Sequence, residues 1–422
     1  METLLHYVWK YKLYSSENLV TQSGSPVFII DPGIHNTNAG PDFFNAKIRI
    51  GDETWAGNVE IHIHASDWIK HGHHIDKAYN SVILHVVEFP AEETKTENGH
   101  IIPQLILKVP EKIKEHYEYL LNRDTHIPCS TRIQEIHPVY IADWLNALLT
   151  ERLERKTDDL YRLLSEYNGD WGEVFYITLS RNFGFGINND AFERLAKSLP
   201  LKYIRKHKNS LFQIEALFFG QAGLLIEDDF QDNYCRSLKK EYEFLSRKFG
   251  LKPLEFHVFR SLRIRPNNFP HIKIAQLATL IRAQKSLFSQ ILSMEDIGDL
   301  GRLFISDLSE YWKTHYRFDR PSSRSNKRIG LSGQYIILIN TVVPLLFAYG
   351  KKKKMPGLQD KAIKLLELIK PESNHIINDF LKAGIKIHHA GDSQALIQLQ
   401  KEYCEKKKCI YCRIGHKLLA KC

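Results

Sequence analysis

The amino-acid sequence predicts an α/β N-terminal domain followed by a mostly α-helical C-terminal domain. Two patterns predict this fold class: helix-like and strand-like apolar runs alternate in residues 1–122, and apolar residues recur at helical spacing in residues 123–400. The composition agrees, because 422 residues with 43% hydrophobic and 25% charged side chains can fill two to three globular domains. Disordered, collagen-like and fibrous proteins are excluded.

The first domain has the predicted order αβββαβ, followed by one further strand. Apolar spacings of three and four residues indicate its helices, and β-rich apolar runs bounded by turn residues indicate its strands. In order, the helix, three strands, helix and two strands occupy residues 2–20, 27–30, 46–50, 58–64, 67–79, 81–89 and 103–109. The turn Gly51-Asp52 joins the second and third strands as a hairpin.

Helical spacing dominates residues 136–400 and predicts the second domain. Its most apolar stretch, residues 335–349, is interrupted by Asn340 and Pro344 and is shorter than the roughly 20 residues that span a bilayer. We therefore expect a buried helix there. The sequence starts without a secretory signal pattern, so we expect a cytoplasmic protein with no membrane partner.

The net charge of +9 is unevenly distributed along the chain. Residues 1–120 hold 10 Lys and Arg against 16 Asp and Glu, whereas residues 121–422 hold 48 against 33. The basic excess suits a polyanionic partner, and carboxylates in the acidic part suit a bound cation. The sequence contains no Walker motif and no Gly-x-Ser-x-Gly elbow, so nothing in it favours nucleotide hydrolysis or a serine hydrolase.

Candidate metal ligands lie on the predicted hairpin. Alternate residues of a strand share a face, so we expect Glu60, His62 and His64 to point to one side of the third strand. Asp42, near the neighbouring strand, could share a hard cation such as Mg²⁺ or Mn²⁺ with Glu60. Such a cation lowers the pKa of bound water and neutralises charge on a phosphate group. The pattern therefore predicts a metal-assisted hydrolase site.

These residues resemble the signature of the PD-(D/E)xK nuclease superfamily, with Pro41-Asp42 on one strand and Glu60-Ile61-His62 on its hairpin partner. The order αβββαβ is similar to that superfamily's restriction-endonuclease-like mixed sheet. The resemblance implies a nuclease acting on DNA or RNA, with Asp42, Glu60 and His62 as catalytic residues. His62 stands where the superfamily has Lys, and it could act as a base or as a further ligand. The whole chain also resembles an uncharacterised bacterial family of proteins of unknown function.

More ligand-type residues follow the third strand. In the nuclease interpretation, His71, His74 and Asp76 face the same cleft, where they would contact a phosphate of the nucleic acid or a second metal. The order His-x-His-His-x-Asp differs from the metallo-β-lactamase motif, because its Asp falls one place late. His85 lies in an otherwise apolar strand, where it is either a core residue or a further ligand.

Four of the six Cys residues lie close together near the end of the sequence, at Cys404, Cys409, Cys412 and Cys422. In a chain with no export signal this cluster indicates a metal site rather than disulfides, and four thiolates suit tetrahedral Zn²⁺. His416 is an alternative fourth ligand. The nuclease resemblance implies another alternative, an iron–sulfur cluster with Cys129 as the fourth ligand. Residues 401–422 are thus predicted to form a metal-binding tail.

A basic segment interleaved with aromatic residues, 313–328, is the predicted nucleic-acid-binding surface, and two Arg residues upstream extend it. Basic side chains neutralise phosphates, and aromatic rings stack on bases. The candidate residues are Arg263, Arg265, Arg317, Arg320, Arg324, Lys327 and Arg328. A solvated charged loop has the same composition, so both interpretations stand.

Three functions are open from the sequence. The first is a metal-dependent phosphodiesterase acting on DNA or RNA. The second is a nucleic-acid-binding protein with a degenerate nuclease core, in which His62 marks lost activity. The third is a metalloenzyme acting on a non-phosphate substrate through His62, His64 and His85. No oligomeric state is predicted.

Overall fold

The structure, a computed structural model, describes residues 1–15, 19–91, 93–226, 229–283, 287–294, 297–305 and 307–420. The chain divides into two compact units. Unit 1 comprises Met1–Trp144, Asn378–Ile385 and Leu399–Cys422, and unit 2 comprises Leu145–Ile377 and Lys386–Gln398. Unit 1 contains a mixed α/β sheet and unit 2 is mostly helical, which confirms the coarse fold class predicted from the sequence.

Ten strands and eighteen helices are found in the described residues. The strands are β1 Val27–Asp31, β2 Ile34–His35, β3 Phe43–Ile50, β4 Glu53–His64, β5 Val82–Phe89, β6 Thr94–Lys95, β7 Ile101–Ile102, β8 Gln104–Ile106, β9 His315–Arg317 and β10 Arg320–Pro321. The helices are α1 Glu2–Lys10, α2 Asp67–Lys70, α3 Glu111–Asn122, α4 Pro138–Glu166, α5 Trp171–Phe183, α6 Asn189–Ser198, α7 Leu201–Lys206, α8 Leu211–Gln221, α9 Asn233–Phe249, α10 Pro270–Ala283, α11 Leu287–Ser293, α12 Glu310–Thr314, α13 Leu331–Ile337, α14 Val343–Lys353, α15 Pro356–Leu368, α16 His375–Lys382, α17 Ala390–Leu399 and α18 Arg413–Leu419.

Unit 1 is built on a six-stranded sheet with the order β1-β3-β4-β5-β8, and β2 pairs with β3. Strands β1, β3 and β4 are antiparallel neighbours, whereas β4, β5 and β8 run parallel. The hairpin of β3 and β4 turns at Gly51-Asp52, as predicted. Strands β6 and β7 form a separate two-stranded sheet.

Alternation along β4 gives the sheet one apolar and one polar face. Val59 and Ile61 are fully buried in one hydrophobic cluster together with Leu5 and Val8 of α1. Successive side chains of a strand point to opposite faces. Glu60 and its neighbours at even positions therefore lie on the face away from α1.

Two predicted helices are shorter in the structure. The first ends at Lys10 rather than residue 20, and Lys12 follows with a positive φ of 50°. The second ends at Lys70 rather than residue 79, because Gly72 has a φ of +79° that interrupts helical geometry. Two short 3₁₀ turns, His73–Ile75 and Lys77–Tyr79, follow instead.

Unit 2 has a large core of buried apolar side chains contributed mainly by its helices. Helices α13 and α14 are joined by a π-helical turn at Leu338–Val342. Within the described residues, this continuous stretch, Leu331–Lys353, is the one helix long and apolar enough to cross a membrane. Its most apolar part is 67% buried inside the protein, as in a core helix.

Candidate metal centre

The polar face of β4 and β5 carries a buried group of ionisable side chains. Glu60 and His85 are register partners on the two parallel strands, and His62 follows two positions after Glu60. Their side chains are almost completely inaccessible, with exposed fractions of 4% for Glu60, 2% for His62 and 0% for His85. Buried ionisable groups need partners, and each of these three has them.

Asp42 and Glu60 are linked through backbone amides. The amide of Asp42 donates to Glu60 Oε2 at 3.1 Å, and the amide of Ile61 donates to Asp42 Oδ2 at 2.9 Å. Asn36 holds the loop before β3, since its amide donates to the Asp42 carbonyl at 2.7 Å. The second oxygen of Glu60 is left facing the histidines.

Two histidines contact that oxygen, and a third lies beside one of them. Glu60 Oε1 lies 3.5 Å from His62 Nε2 and 3.2 Å from His73 Nε2. His62 Nε2 is also 3.3 Å from His71 Nδ1, and His62 Nδ1 is 2.9 Å from His85 Nε2. One ligand atom from each of His62, His71 and His73 lies within 4.8 Å of the others, so this group could hold a metal ion.

The connection after β4 positions His71 and His73. Trp68 is fully buried, and its indole N–H donates to the Lys95 carbonyl at 3.0 Å. The left-handed backbone of Gly72 turns the chain between the two histidines. The ring of His73 then stacks on Tyr79 at 3.8 Å, which fixes its orientation.

Burial keeps two of the histidines neutral. It lowers the pKa of His62 to about 4, and the nearby charges of His73 and His71 act in the same direction. Burial also lowers the pKa of His85 to about 3. At neutral pH both rings are uncharged, which is the form that binds metal ions.

The two carboxyl groups shift in opposite directions. Burial raises the pKa of Glu60, and the charge of Asp42 adds to this effect while His73 opposes it. Burial also acts to raise the pKa of Asp42, but its hydrogen bond and charge interaction with His6 outweigh burial and lower it overall. His6 Nε2 lies 3.4 Å from Asp42 Oδ2. A cation between the two carboxylates would relieve their mutual repulsion.

The structure brings together only part of the predicted set. Asp42, Glu60, His62 and His71 converge, whereas His64 is exposed at the end of β4 and stacks on Phe89 at 5.0 Å. His74 faces a separate cavity with Ile69 and Lys95. Two histidines that sequence reasoning did not select, His6 and His73, contact the carboxylates. The interrupted helix explains this miss, because helical spacing places His71 and His73 on different faces.

The cysteines of the tail lie in unit 1. Cys404 ends a π-helical turn, and Cys409 and Cys412 flank the turn before α18. Cys129 lies close enough that the charges of Cys409 and Cys412 add to burial in raising its pKa. All four thiols are free. Cys422 lies outside the described residues.

Polar contacts tie the Cys129 loop to the tail. The Gln400 side chain donates to the His126 carbonyl at 2.8 Å, and Lys407 Nζ donates to the Arg123 carbonyl at 2.9 Å. His416 Nδ1 is 2.8 Å from the hydroxyl of Tyr7, so one of its ring nitrogens is already engaged. These contacts hold the Cys129 loop beside the tail.

The basic residues of the predicted nucleic-acid surface differ in their surroundings. Arg328 makes two hydrogen bonds to Asp307, at 2.6 and 2.8 Å, and Arg324 makes one to Glu310 at 2.7 Å. Lys327 is buried, and its Nζ donates to two backbone carbonyls at 2.8 and 2.9 Å. The ammonium group of Lys327 therefore stabilises the local fold through these two hydrogen bonds.

Four other Arg residues of that set are exposed. Arg317 lies over the ring of Phe269, with 4.4 Å between its guanidinium carbon and the ring centroid. Arg320 lies on β10, and Arg263 and Arg265 lie in the loop before α10. These side chains belong to unit 2 and are accessible to a polyanion.

Comparison with known proteins gives a family but no activity. No curated protein and no solved structure matches the chain significantly. A family model described as "Protein of unknown function (DUF2851)" matches residues 2–375, nearly the whole chain. The expected resemblance to a family of unknown function is thus confirmed, and the chain belongs to that family.

Proposed function

We propose that the chain is a metal-dependent phosphodiesterase acting on DNA or RNA. The observation that carries the proposal is the pairing of Asp42, immediately before β3, with Glu60 on the neighbouring strand β4, with His62 two residues further along. The sheet order and these residues support a restriction-endonuclease-like core. Asp42 and Glu60 would bind Mg²⁺ or Mn²⁺, and His62 would act as a base or as a further ligand.

The side chains present fit a divalent cation. Glu60 Oε1 faces two imidazole groups, and Asp42 is linked to Glu60 through backbone hydrogen bonds, so oxygen and nitrogen ligand atoms are close together. When bound, a cation would supply charge neutralisation at the phosphate and a more acidic water. His62, with its pKa lowered to about 4, is neutral at neutral pH and is a weak base, so it suits the role of a further ligand better than that of the base.

The basic surface of unit 2 is the proposed substrate-binding part. Arg263, Arg265, Arg317 and Arg320 are exposed, and a nucleic acid offers phosphates for their guanidinium groups. Arg324 is also exposed, although it shares Glu310 with Lys313. These side chains support binding of a nucleic acid, either DNA or RNA.

A test of the activity needs only the full chain. Labelled single- and double-stranded DNA and RNA are incubated with the protein and Mg²⁺ or Mn²⁺. We expect cleavage that is lost in Asp42→Ala and Glu60→Ala and kept in Asp52→Ala and Glu53→Ala, which alter exposed carboxylates of the hairpin turn. Cleavage that persists in the first pair overturns the site assignment. If the unaltered chain binds nucleic acid without cleaving it, the result supports the alternative of a nucleic-acid-binding protein with a degenerate nuclease core. His62 at the position of the superfamily's Lys favours that alternative.

We also propose that Cys404, Cys409 and Cys412 bind Zn²⁺ or, as an alternative, an iron–sulfur cluster. Burial raises the pKa of each thiol, to about 11 for Cys409, and the neighbouring thiols add to the effect for Cys404 and Cys409. A bound cation would offset this cost. Metal analysis and visible absorption of protein purified without oxygen distinguish the two metals. Cys412→Ser should lose the metal, whereas Lys408→Ala, an exposed change in the same tail, should keep it.

A further inference from the structure

We propose that His62, His71 and His73 form a three-imidazole site for a divalent transition metal of the zinc class, with Glu60 as a neighbouring carboxylate. The inference goes beyond the proposed function, because it adds a transition metal held by imidazoles beside the Mg²⁺ or Mn²⁺ proposed at Asp42 and Glu60. It rests on three imidazoles whose ligand atoms lie within 4.8 Å of one another, and on the Glu60 oxygen that contacts two of them.

The distances match the edges of a coordination tetrahedron. Zinc binds imidazole nitrogen at about 2.0–2.1 Å, so neighbouring ligand atoms of a tetrahedron lie about 3.3–3.4 Å apart. His62 Nε2 is 3.3 Å from His71 Nδ1 and 3.5 Å from Glu60 Oε1. His73 Nε2 is 3.2 Å from the same Glu60 oxygen. These three contacts connect His71, His62, Glu60 and His73 in a chain with spacings close to tetrahedral edges, and the three imidazole ligand atoms lie within 4.8 Å of one another.

The neighbouring groups orient the ligand atoms inward. His62 Nδ1 is 2.9 Å from His85 Nε2, and in the tautomer in which His62 Nδ1 donates to His85 the lone pair of His62 Nε2 faces the site. Such an outer partner is a regular feature of metal-binding histidines. His73 is held by its stack on Tyr79 and by an edge contact with Trp68.

The ligand set selects among metals. Imidazole suits zinc, copper, iron and nickel, whereas Mg²⁺ prefers oxygen ligands and keeps its waters. His71 is the exposed member of the set, so it gives the ion a route from solvent. Glu60 uses Oε1 for this site and Oε2 for the amide of Asp42, so one carboxylate connects the imidazoles to the Asp42 side.

Cobalt binding tests the site without any assay of hydrolysis. The full chain is stripped with a chelator and titrated with Co²⁺, whose visible spectrum separates nitrogen and oxygen ligands from the thiolates of the tail. We expect His71→Ala to weaken the nitrogen–oxygen signal at least about tenfold, and excess Mg²⁺ not to displace it. His74→Ala and His64→Ala are matched controls that should bind as the unaltered chain does.

The outcomes separate this inference from the proposed function. Unchanged Co²⁺ binding in both His71→Ala and His73→Ala, or displacement by Mg²⁺, overturns the inference. Because His71 is exposed, its variant should fold even where His73→Ala does not, and circular dichroism checks both. Metal binding that depends on His71 without cleavage of any nucleic acid keeps the inference and overturns the nuclease proposal. Cleavage of nucleic acid with Mg²⁺, together with Co²⁺ binding that does not depend on the histidines, keeps the nuclease proposal and overturns the inference.

Discussion

Asp42 and Glu60 hold each other in place through the backbone: each carboxylate accepts a hydrogen bond from an amide at or beside the other residue. The amide of Asp42 donates to Glu60, and the amide of Ile61 donates to Asp42. The two side chains are thus fixed before any ligand binds, which is the preorganisation that a metal or catalytic site requires.

This reciprocal pairing predicts different costs for two substitutions of Asp42. Asp42→Ala leaves the Ile61 amide without its acceptor, so the free energy of unfolding should fall by about 1–3 kcal/mol. Asp42→Asn keeps one oxygen that can accept from this amide and should cost less. Urea unfolding of both variants measures the difference. Equal stability of the two variants contradicts the structural importance of the Ile61 hydrogen bond.

The left-handed turn between His71 and His73 gives a second prediction. Gly72 has a φ of +79° and open space around its α-carbon, so Gly72→Ala should cost about 1–2 kcal/mol of backbone strain. Gly99 has a φ of +81° and equally open surroundings, so Gly99→Ala should cost a similar amount. Only the Gly72 variant should also weaken Co²⁺ binding, because only it displaces the histidines. Equal metal affinity in both variants would show that the turn does not position the ligands.

A buried carboxyl in unit 2 predicts a pH dependence of stability. Glu215 is 1% exposed, and burial raises its pKa to about 7 although Tyr234 and Ser309 donate hydrogen bonds to it. Since the folded pKa is above the unfolded value of 4.5, its contribution is complete below pH 4.5 and is lost as the pH rises through 7. Glu215→Gln cannot ionise.

The free energy of unfolding of Glu215→Gln should therefore rise relative to that of the unaltered chain as the pH becomes alkaline. Relative to the unaltered chain, Glu215→Gln should be more stable at pH 8 than at pH 5 by up to about 2–3 kcal/mol. Thermal and urea unfolding at both pH values check this, with the exposed Glu243→Gln as the control. A difference between variant and parent that does not change with pH would mean that Glu215 stays ionised in the fold.

The pairing of basic side chains predicts which of them bind phosphates. Arg320 is exposed on β10, whereas the guanidinium of Arg328 is already neutralised by two hydrogen bonds to Asp307. Arg320→Ala should reduce the slope of log affinity against log salt for a nucleic acid by about 1. Arg328→Ala should change that slope little. Fluorescence anisotropy at several salt concentrations measures both slopes. A larger change of slope in Arg328→Ala than in Arg320→Ala would contradict the assignment of Arg320 as a phosphate contact.

Local patterns were sufficient for the sheet and for half of the candidate centre. Strand alternation predicts that Glu60 and His62 share the face opposite Ile61, and the turn at Gly51-Asp52 predicts the hairpin. Both depend only on neighbours within a few residues. His64 follows the same alternation, yet it lies at the end of β4, where the buried surface stops.

Long-range and backbone effects account for what the sequence did not predict. His73 joins Glu60 only because Gly72 adopts a left-handed conformation, and a helical pattern cannot indicate that. Cys129, which the resemblance and no local pattern associated with the tail, approaches it through tertiary contacts across more than two hundred residues, of which Gln400 with His126 is one. Such contacts leave no periodic signal in the sequence.

The discontinuous make-up of unit 1 has a consequence for how the protein is synthesised. Residues of the tail such as Ile410 and Leu419 are buried in the same cluster as Leu4 and Leu5 of α1. During translation the first 144 residues are synthesised first. About 250 further residues are added before the ribosome reaches Leu399, where the segment that completes their core begins. During that interval the sheet exposes an apolar surface. We therefore expect these first 144 residues to depend on chaperones until the tail packs against them.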